Sequence, residues 1–303
     1  MPRSSSLVLL GLLTGVFACA VALGACRGGS EGAATDDLGR SVEVPARARA
    51  VVPLAPNVTE LVAAAAGVER LAGVAASDDW PSGIAGLERF QSYPLDLERV
   101  LGLEPDLAIG SDDVNTADAA DGLAGLGVPA YLFRFQRVAD VPRALRTLDT
   151  LLNASGGAPA AADFERRVER VTDAVGPFGR PRVLLLVGDE TLYAFGRDSY
   201  ASEAVRLAGG DNLTDRYTGA AAQPSDEAVL EMAPEVILVL SADYDPADLV
   251  TKHPAFATLP AVQNRRVYGV DPDLVSRAGP RLAEGIEQIA RRLHPEAFAA
   301  GAA

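Results

Sequence analysis

Asp96-Leu97-Glu98-Arg99-Val100-Leu101, running through Pro105-Asp106 into Leu107-Ala108-Ile109, recurs as Asp226-Glu227-Ala228-Val229-Leu230, running through Pro234-Glu235 into Val236-Ile237-Leu238. Setting Pro105 on Pro234 gives an offset of 129 residues, which also puts Glu98 on Glu227, Val100 on Val229 and Leu101 on Leu230. Each copy reads as a short helix opened by acids, stopped by a proline and followed by a buried strand of branched residues. One α/β unit is therefore used twice, and the two halves of the chain are expected to repeat one plan.

The paired glutamates have two readings. Acids in a first helical turn complement the exposed amides and the positive end of the helix dipole wherever they occur. A duplicated acid also marks two equivalent points on two lobes, which a partner with matching two-fold symmetry could engage.

Working outward, 303 residues with 49% hydrophobic content give room for two domains of ordinary size. The formal charge of −14 and the lack of any basic block exclude nucleic acid as a partner, because phosphate binding needs clustered Lys and Arg. At the N-terminus, Arg3, the uncharged apolar run Leu7 to Leu23 and the sequence Leu23-Gly24-Ala25-Cys26 match a lipoprotein signal peptide over residues 1–26, with lipid expected on Cys26. The folded part is thus expected outside the cytoplasm, lipid-anchored to the membrane and facing the periplasm or cell exterior. Removal of Cys19 with the signal leaves Cys26 alone, so neither a disulfide nor a thiolate cluster is expected.

Residues 27–37, rich in Gly, Ser, Ala and Asp, read as a flexible tether. An N-terminal α/β lobe is expected over 38–153. It has strands at Arg49–Leu54, Leu71–Ala75 and Val128–Phe133, and a helix after Ala55-Pro56 whose Asn57 and Glu60 have capping-box spacing. Phe164, Val168, Val171 and Val175 form one apolar stripe on a helix over 158–176, about 28 Å long, suited to bridge two lobes. A C-terminal lobe over 181–303 repeats the pattern, with strands at Arg182–Val187, Thr191–Gly196, 235–240 and Val267–Val270 and a last helix from Pro280 to Leu293. The fold class is α/β, two Rossmann-like lobes with parallel sheets.

Five stretches in order carry a resemblance: RAVVPLAPNVTEL (49–61), LERVLGLEPDL (97–107), LYAFGRDSY (192–200), AGGDNL (208–213) and GPRL (279–282). Together they resemble the substrate-binding proteins of ABC importers for cobalamin, ferric siderophores and haem, over nearly the whole mature chain. The resemblance implies two lobes joined by one long helix, with a small-molecule ligand in the cleft between them. It also implies a monomer that docks on a permease dimer with ATPase subunits, with Glu98 and Glu227 as the docking residues. The cobalamin binders are the subgroup most similar, through APNVTEL and the loop Ser77-Asp78-Asp79-Trp80-Pro81. By that similarity the ligand-binding residues are Pro56, Trp80, Tyr93, Tyr193, Asp273 and Arg277. The tryptophan expected before the second repeat is replaced by Gly219-Ala220-Ala221-Ala222, so Tyr217, Phe135 and Tyr244 are the candidates to supply surface there.

Ferric siderophores call for arginines, and Arg134, Arg197 and Arg277 are candidates; haem calls for an axial Tyr, His or Met. A zinc or manganese receptor is excluded, because His253 and His294, read as surface residues, cannot build a three-histidine site. No resident cofactor or metal is expected. An enzyme is the rival class, but the chain lacks Gly-x-Ser-x-Gly, a phosphate loop and HExxH, and Asp78-Asp79 read as an exposed loop pair.

Overall fold

The computed structural model describes residues 32–301. Cys26 and the signal segment lie outside the described residues. Among those described, no helix is long and apolar enough to cross a membrane.

The first element corrects the expected tether. Gly32–Thr35 (β1) pairs antiparallel with Ser41–Val44 (β2). The Asp37 carboxylate then accepts from both terminal nitrogens of Arg143 at 2.9 and 2.8 Å, and Asp36 accepts from the Arg40 side chain at 2.9 Å. Polar composition suggested a free segment, but Asp37 is used by an arginine more than a hundred positions away and Asp36 by the nearby Arg40.

The N-terminal lobe follows as Val51–Pro53 (β3), Pro56–Ala66 (α1), Val74–Ala75 (β4), Arg89–Phe90 (β5), Leu97–Gly102 (α2), Leu107–Ser111 (β6), Ala117–Gly125 (α3), Ala130–Phe133 (β7) and Asp140–Leu152 (α4). Strands β3, β6 and β7 lie side by side and parallel; β4 and β5 form a parallel pair linked to β3 by a bridge between Val51 and Leu71. Strands β3, β6 and β7 are buried along their whole length, as expected of a sheet covered on both faces. The expected capping box on α1 is not formed: Ala55 is the N-cap without a side-chain bond, Pro56 opens the helix, and Asn57 and Glu60 are buried on its inner side.

Gly157–Val175 (α5) is the long connecting helix. The Asp149 carboxylate accepts from the amides of Gly157 and Ala158 at 2.7 and 2.8 Å, satisfying the helix start. Glycine is required at 157, since a Cβ there would overlap the Leu145 carbonyl oxygen. Phe164, Val171 and Val175 are buried and Val168 packs against the same core. The helix rests on α1 and α4 of the first lobe. On the second it rests on Tyr200–Leu207 (α6) and, near the C-terminus, on the helix Leu282–Leu293. One apolar cluster therefore runs unbroken from Val51 and Leu145 through Phe164 and Val171 to Leu185 and Ile286. Sharing this core makes the two lobes one packed body on that side.

The remaining elements of the C-terminal lobe are Arg182–Gly188 (β8) and Tyr193–Phe195 (β9) before α6, then Asp211–Asn212 (β10), Ala221–Ala222 (β11), Asp226–Met232 (α7), Val236–Leu240 (β12), Pro246–Lys252 (α8), Pro260–Gln263 (α9), Val267–Val270 (β13) and Pro272–Val275 (α10), with Leu282–Leu293 as α11. The sheet order is β11-β9-β8-β12-β13, with β8, β12 and β13 parallel, β9 antiparallel and β10 alongside the start of β8.

The repeat is visible in the backbone. At the 129-residue offset, Asp96 and Ser225 both cap their helices, accepting from Arg99 and Ala228 amides. Glu104 and Ala233 both take positive φ, at 48° and 42°. Asp106 accepts from the amides of Arg49 and Ala50, and Glu235 accepts from the amide of Arg182, each tying the repeat to the neighbouring first strand of its lobe.

Candidate functional site

In open parallel α/β sheets, ligands meet the loops leaving the carboxyl ends of the strands. In the first lobe these loops carry Pro56 after β3, Asp78 to Pro81 after β4, and Tyr93 after β5. In the second, Tyr193 stands opposite Gly188 at the end of β8, and Asp273 and Arg277 follow β13. Trp80, Tyr93 and Tyr193 are 47%, 72% and 51% exposed, unusual for large aromatics and available to a ligand.

The two loop sets meet through an ion network. Arg277 Nη1 donates to Asp79 at 2.6 Å across the lobes, its Nη2 pairs with Asp273 at 2.8 Å, and Glu60 lies 3.7 Å away. Arg281 Nη2 donates to Glu60 at 2.6 Å, joining α1 to the loop before α11, and its guanidinium lies 5.2 Å from the centre of the Trp80 ring. Gly279 passes close enough to Glu60 that a Cβ would stand 3.0 Å from its free oxygen. A further inter-lobe bond runs from the Val138 amide to Glu203 at 2.7 Å.

Burial sets the protonation of this floor. Desolvation raises the Glu60 carboxyl above its ordinary value despite Arg281 and Arg277, and one of its oxygens has no partner. Asp78 is pushed up to about 6 by burial, against bonds from the Thr59 hydroxyl at 2.5 Å and the Ala75 amide at 3.1 Å. At Arg277 the two acids divide: burial and the hydrogen bond with Asp79 raise Asp273, while Arg277 and Asp273 hold Asp79 low against its own burial. The loop itself is clamped by Arg89, which donates to the carbonyls of Ala75, Ala76 and Asp78.

Several expectations change. Asp78 is buried, because Thr59 and Ala75 draw it inward. Tyr217 is half-buried against the cluster containing Leu184 and Leu186, Phe135 is buried in the main core, and Tyr244 donates to Asp189 at 2.9 Å. These three offer little wall to replace the missing tryptophan; Gly219 to Ala222 instead lead into β11, which pairs with β9. Arg134 pairs with Asp112 at 2.7 Å, so it is already neutralised. Both histidines are buried, His253 between Asp226 and Asp189 and His294 against the Gly209 carbonyl. Among the described residues no group of His, Cys, Asp and Glu is arranged to hold a metal ion.

The sequence singled out Trp80, Asp273 and Arg277, which contacts unite. Tyr93, Tyr193 and Pro56 share the carboxyl edge by topology. It missed Glu60 and Arg281 as partners, although both lie within motifs that carried the resemblance, APNVTEL and GPRL. Glu98 and Glu227 are both exposed in the first turns of α2 and α7, and the Glu227 carboxyl is held below the usual range by its own amide and Ser225.

Comparison with known proteins agrees with this architecture. Residues 51–274 match the family of periplasmic binding proteins. The chain is 30% identical to a vitamin B12-binding protein of Pectobacterium atrosepticum, over 80% of this chain and 88% of that one. It is 26% identical to YvrC, an uncharacterised ABC transporter substrate-binding lipoprotein of Bacillus subtilis, over 87% of this chain and 85% of that one. The crystal structure of the periplasmic vitamin B12 binding protein BtuF of Vibrio cholerae superposes with a TM-score of 0.74 at 26% identity, covering 83% of this chain and 98% of that one. With the family model spanning residues of both lobes, the chain belongs to the periplasmic binding proteins, a family of substrate-binding rather than catalytic proteins.

Proposed function

We propose that this protein is the substrate-binding component of an ABC importer, capturing cobalamin or a related corrinoid in the inter-lobe cleft and delivering it to a permease. The observation that carries the ligand class is the charge state of the cleft. Arg277 and Arg281, the arginines joining the lobes, are already matched by Asp79, Asp273 and Glu60. An anionic siderophore or haem propionate would have to displace those carboxylates, whereas a corrinoid needs flat aromatic contact and amide hydrogen bonds. Exposed Trp80, Tyr93 and Tyr193 suit the first need, and the Asp79, Asp273 and Arg277 groups suit the second. Resemblance to the B12-binding relatives points the same way.

Glu98 and Glu227 fit docking: they are exposed, stand at equivalent points of the repeat and open helices of matched build. One glutamate per lobe offers two equivalent contacts to a symmetric permease dimer, whose ATPase subunits supply the energy. Lipid on Cys26 would hold a monomeric receptor at the outer face of the membrane.

Titration calorimetry on protein beginning at Gly28, with cobalamin, cobinamide, haem and a panel of ferric siderophores, tests the ligand. Tight one-to-one binding of a corrinoid is expected; heat with haem or a siderophore and none with corrinoids would move the ligand class and leave the importer role.

A further inference from the structure

One buried titratable side chain outside both sets of residues connects them. His253 follows α8 and is 8% exposed. Its Nδ1 lies 2.9 and 3.0 Å from the two oxygens of Asp226, its Nε2 lies 2.8 Å from the Asp189 carbonyl oxygen, and Phe256 stacks on the ring at 4.8 Å. A carbonyl oxygen only accepts, so Nε2 carries a hydrogen. An ionised carboxylate also only accepts, so Nδ1 carries one too. Two acceptors at the two nitrogens of one imidazole are both satisfied by the doubly protonated ring.

The surrounding charges agree. Asp226 faces the ring from α7, and Asp189 from the loop after β8, its carboxylate taking Lys252 Nζ and the Tyr244 hydroxyl at 2.9 Å each. Glu190 and Asp248 are the further acids near Lys252. Asp189, Asp226, Glu190 and Asp248 outnumber Lys252, so the ring sits in a net negative surround, which suits an imidazolium.

Each end of this clasp leads to a residue with a proposed role. Asp226 opens α7 and adjoins Glu227. Asp189 opens the short loop that returns at Tyr193. We infer that the His253 imidazolium is a positioning residue coupling the Tyr193 loop to docking helix α7, so that one proton joins the ligand wall to the docking surface. The functional meaning of this coupling rests on the roles proposed above for Glu227 and Tyr193.

The test uses the mature chain without ligand. Nitrogen-detected NMR of the His253 ring is expected to show both nitrogens protonated at pH 6. As the ring titrates, hydrogen exchange corrected for intrinsic rates is expected to lose protection at least tenfold both in residues 226–232 and in residues 189–193, with one shared midpoint. His253→Gln and Asp226→Asn are expected to show that loss at every pH, without the titration. A single neutral tautomer at pH 6, protection unmoved by pH and by both substitutions, or separate midpoints for the two segments would overturn the clasp. These readouts do not depend on import, so a docking role that failed for Glu227 would be seen separately, in the double-glutamate variant described below.

Discussion

Replacing Asp78 with asparagine probes the floor of the cleft through a buried group of the loop that carries Trp80. Burial lifts this carboxyl from the usual 3.8 to about 6. A carboxyl raised in the folded state favours folding while protonated, so its contribution is complete below about 3.8 and is lost as pH rises through about 6. At 1.36 kcal/mol per pH unit, the difference is about 3 kcal/mol of stability withheld at neutral pH. Asparagine keeps an acceptor for the Thr59 hydroxyl and the Ala75 amide but brings a buried amide donor, offsetting about 1 kcal/mol. The net expectation at pH 7.5 is a gain of about 2 kcal/mol, or roughly 4 °C in Tm. Scanning calorimetry of both proteins at pH 7.5, 5.5 and 4 checks it: the gain should shrink to about 1 kcal/mol at pH 5.5 and turn into a loss of less than about 1 kcal/mol by pH 4, where only the amide cost remains. An asparagine variant less stable at pH 7.5, or a difference that does not change with pH, would refute the claim that desolvation dominates at this site.

Glu98→Ala with Glu227→Ala should abolish uptake in vesicles carrying the importer and leave ligand affinity of the soluble protein unchanged; weakened affinity would place these acids in the cleft. Trp80→Ala should lower ligand affinity by about tenfold or more, in line with loss of a stacked aromatic anchor, and calorimetric titration reads it directly. Gly157→Ala drives a methyl group into the Leu145 carbonyl and should destabilise by about 3 kcal/mol, seen as a fall in the urea midpoint with an unchanged slope.

The repeat, the strand runs and the apolar stripe of the connecting helix were legible in the sequence because they are local. A run such as Val-Ile-Leu-Val-Leu at 236–240 is buried whichever strand it meets, and Phe164, Val171 and Val175 face one way on any helix. The same holds for Glu98 and Glu227, whose exposure follows from their places in first helical turns. The partners of charged side chains were not legible. Glu60 looked like half of a capping box, but is buried because α1 turns that face towards the second lobe, where Arg281 waits 221 positions further on. Asp78 and His253 read as surface residues for the same reason: a polar side chain is buried only where distant groups satisfy it, here Thr59 for one and Asp226 with Asp189 for the other. The sequence by itself determined the two-fold plan and the residues that the plan exposes. Only the tertiary structure decided which arginines of the cleft are already neutralised, because that depends on how two lobes far apart in the chain come together over a shared helix.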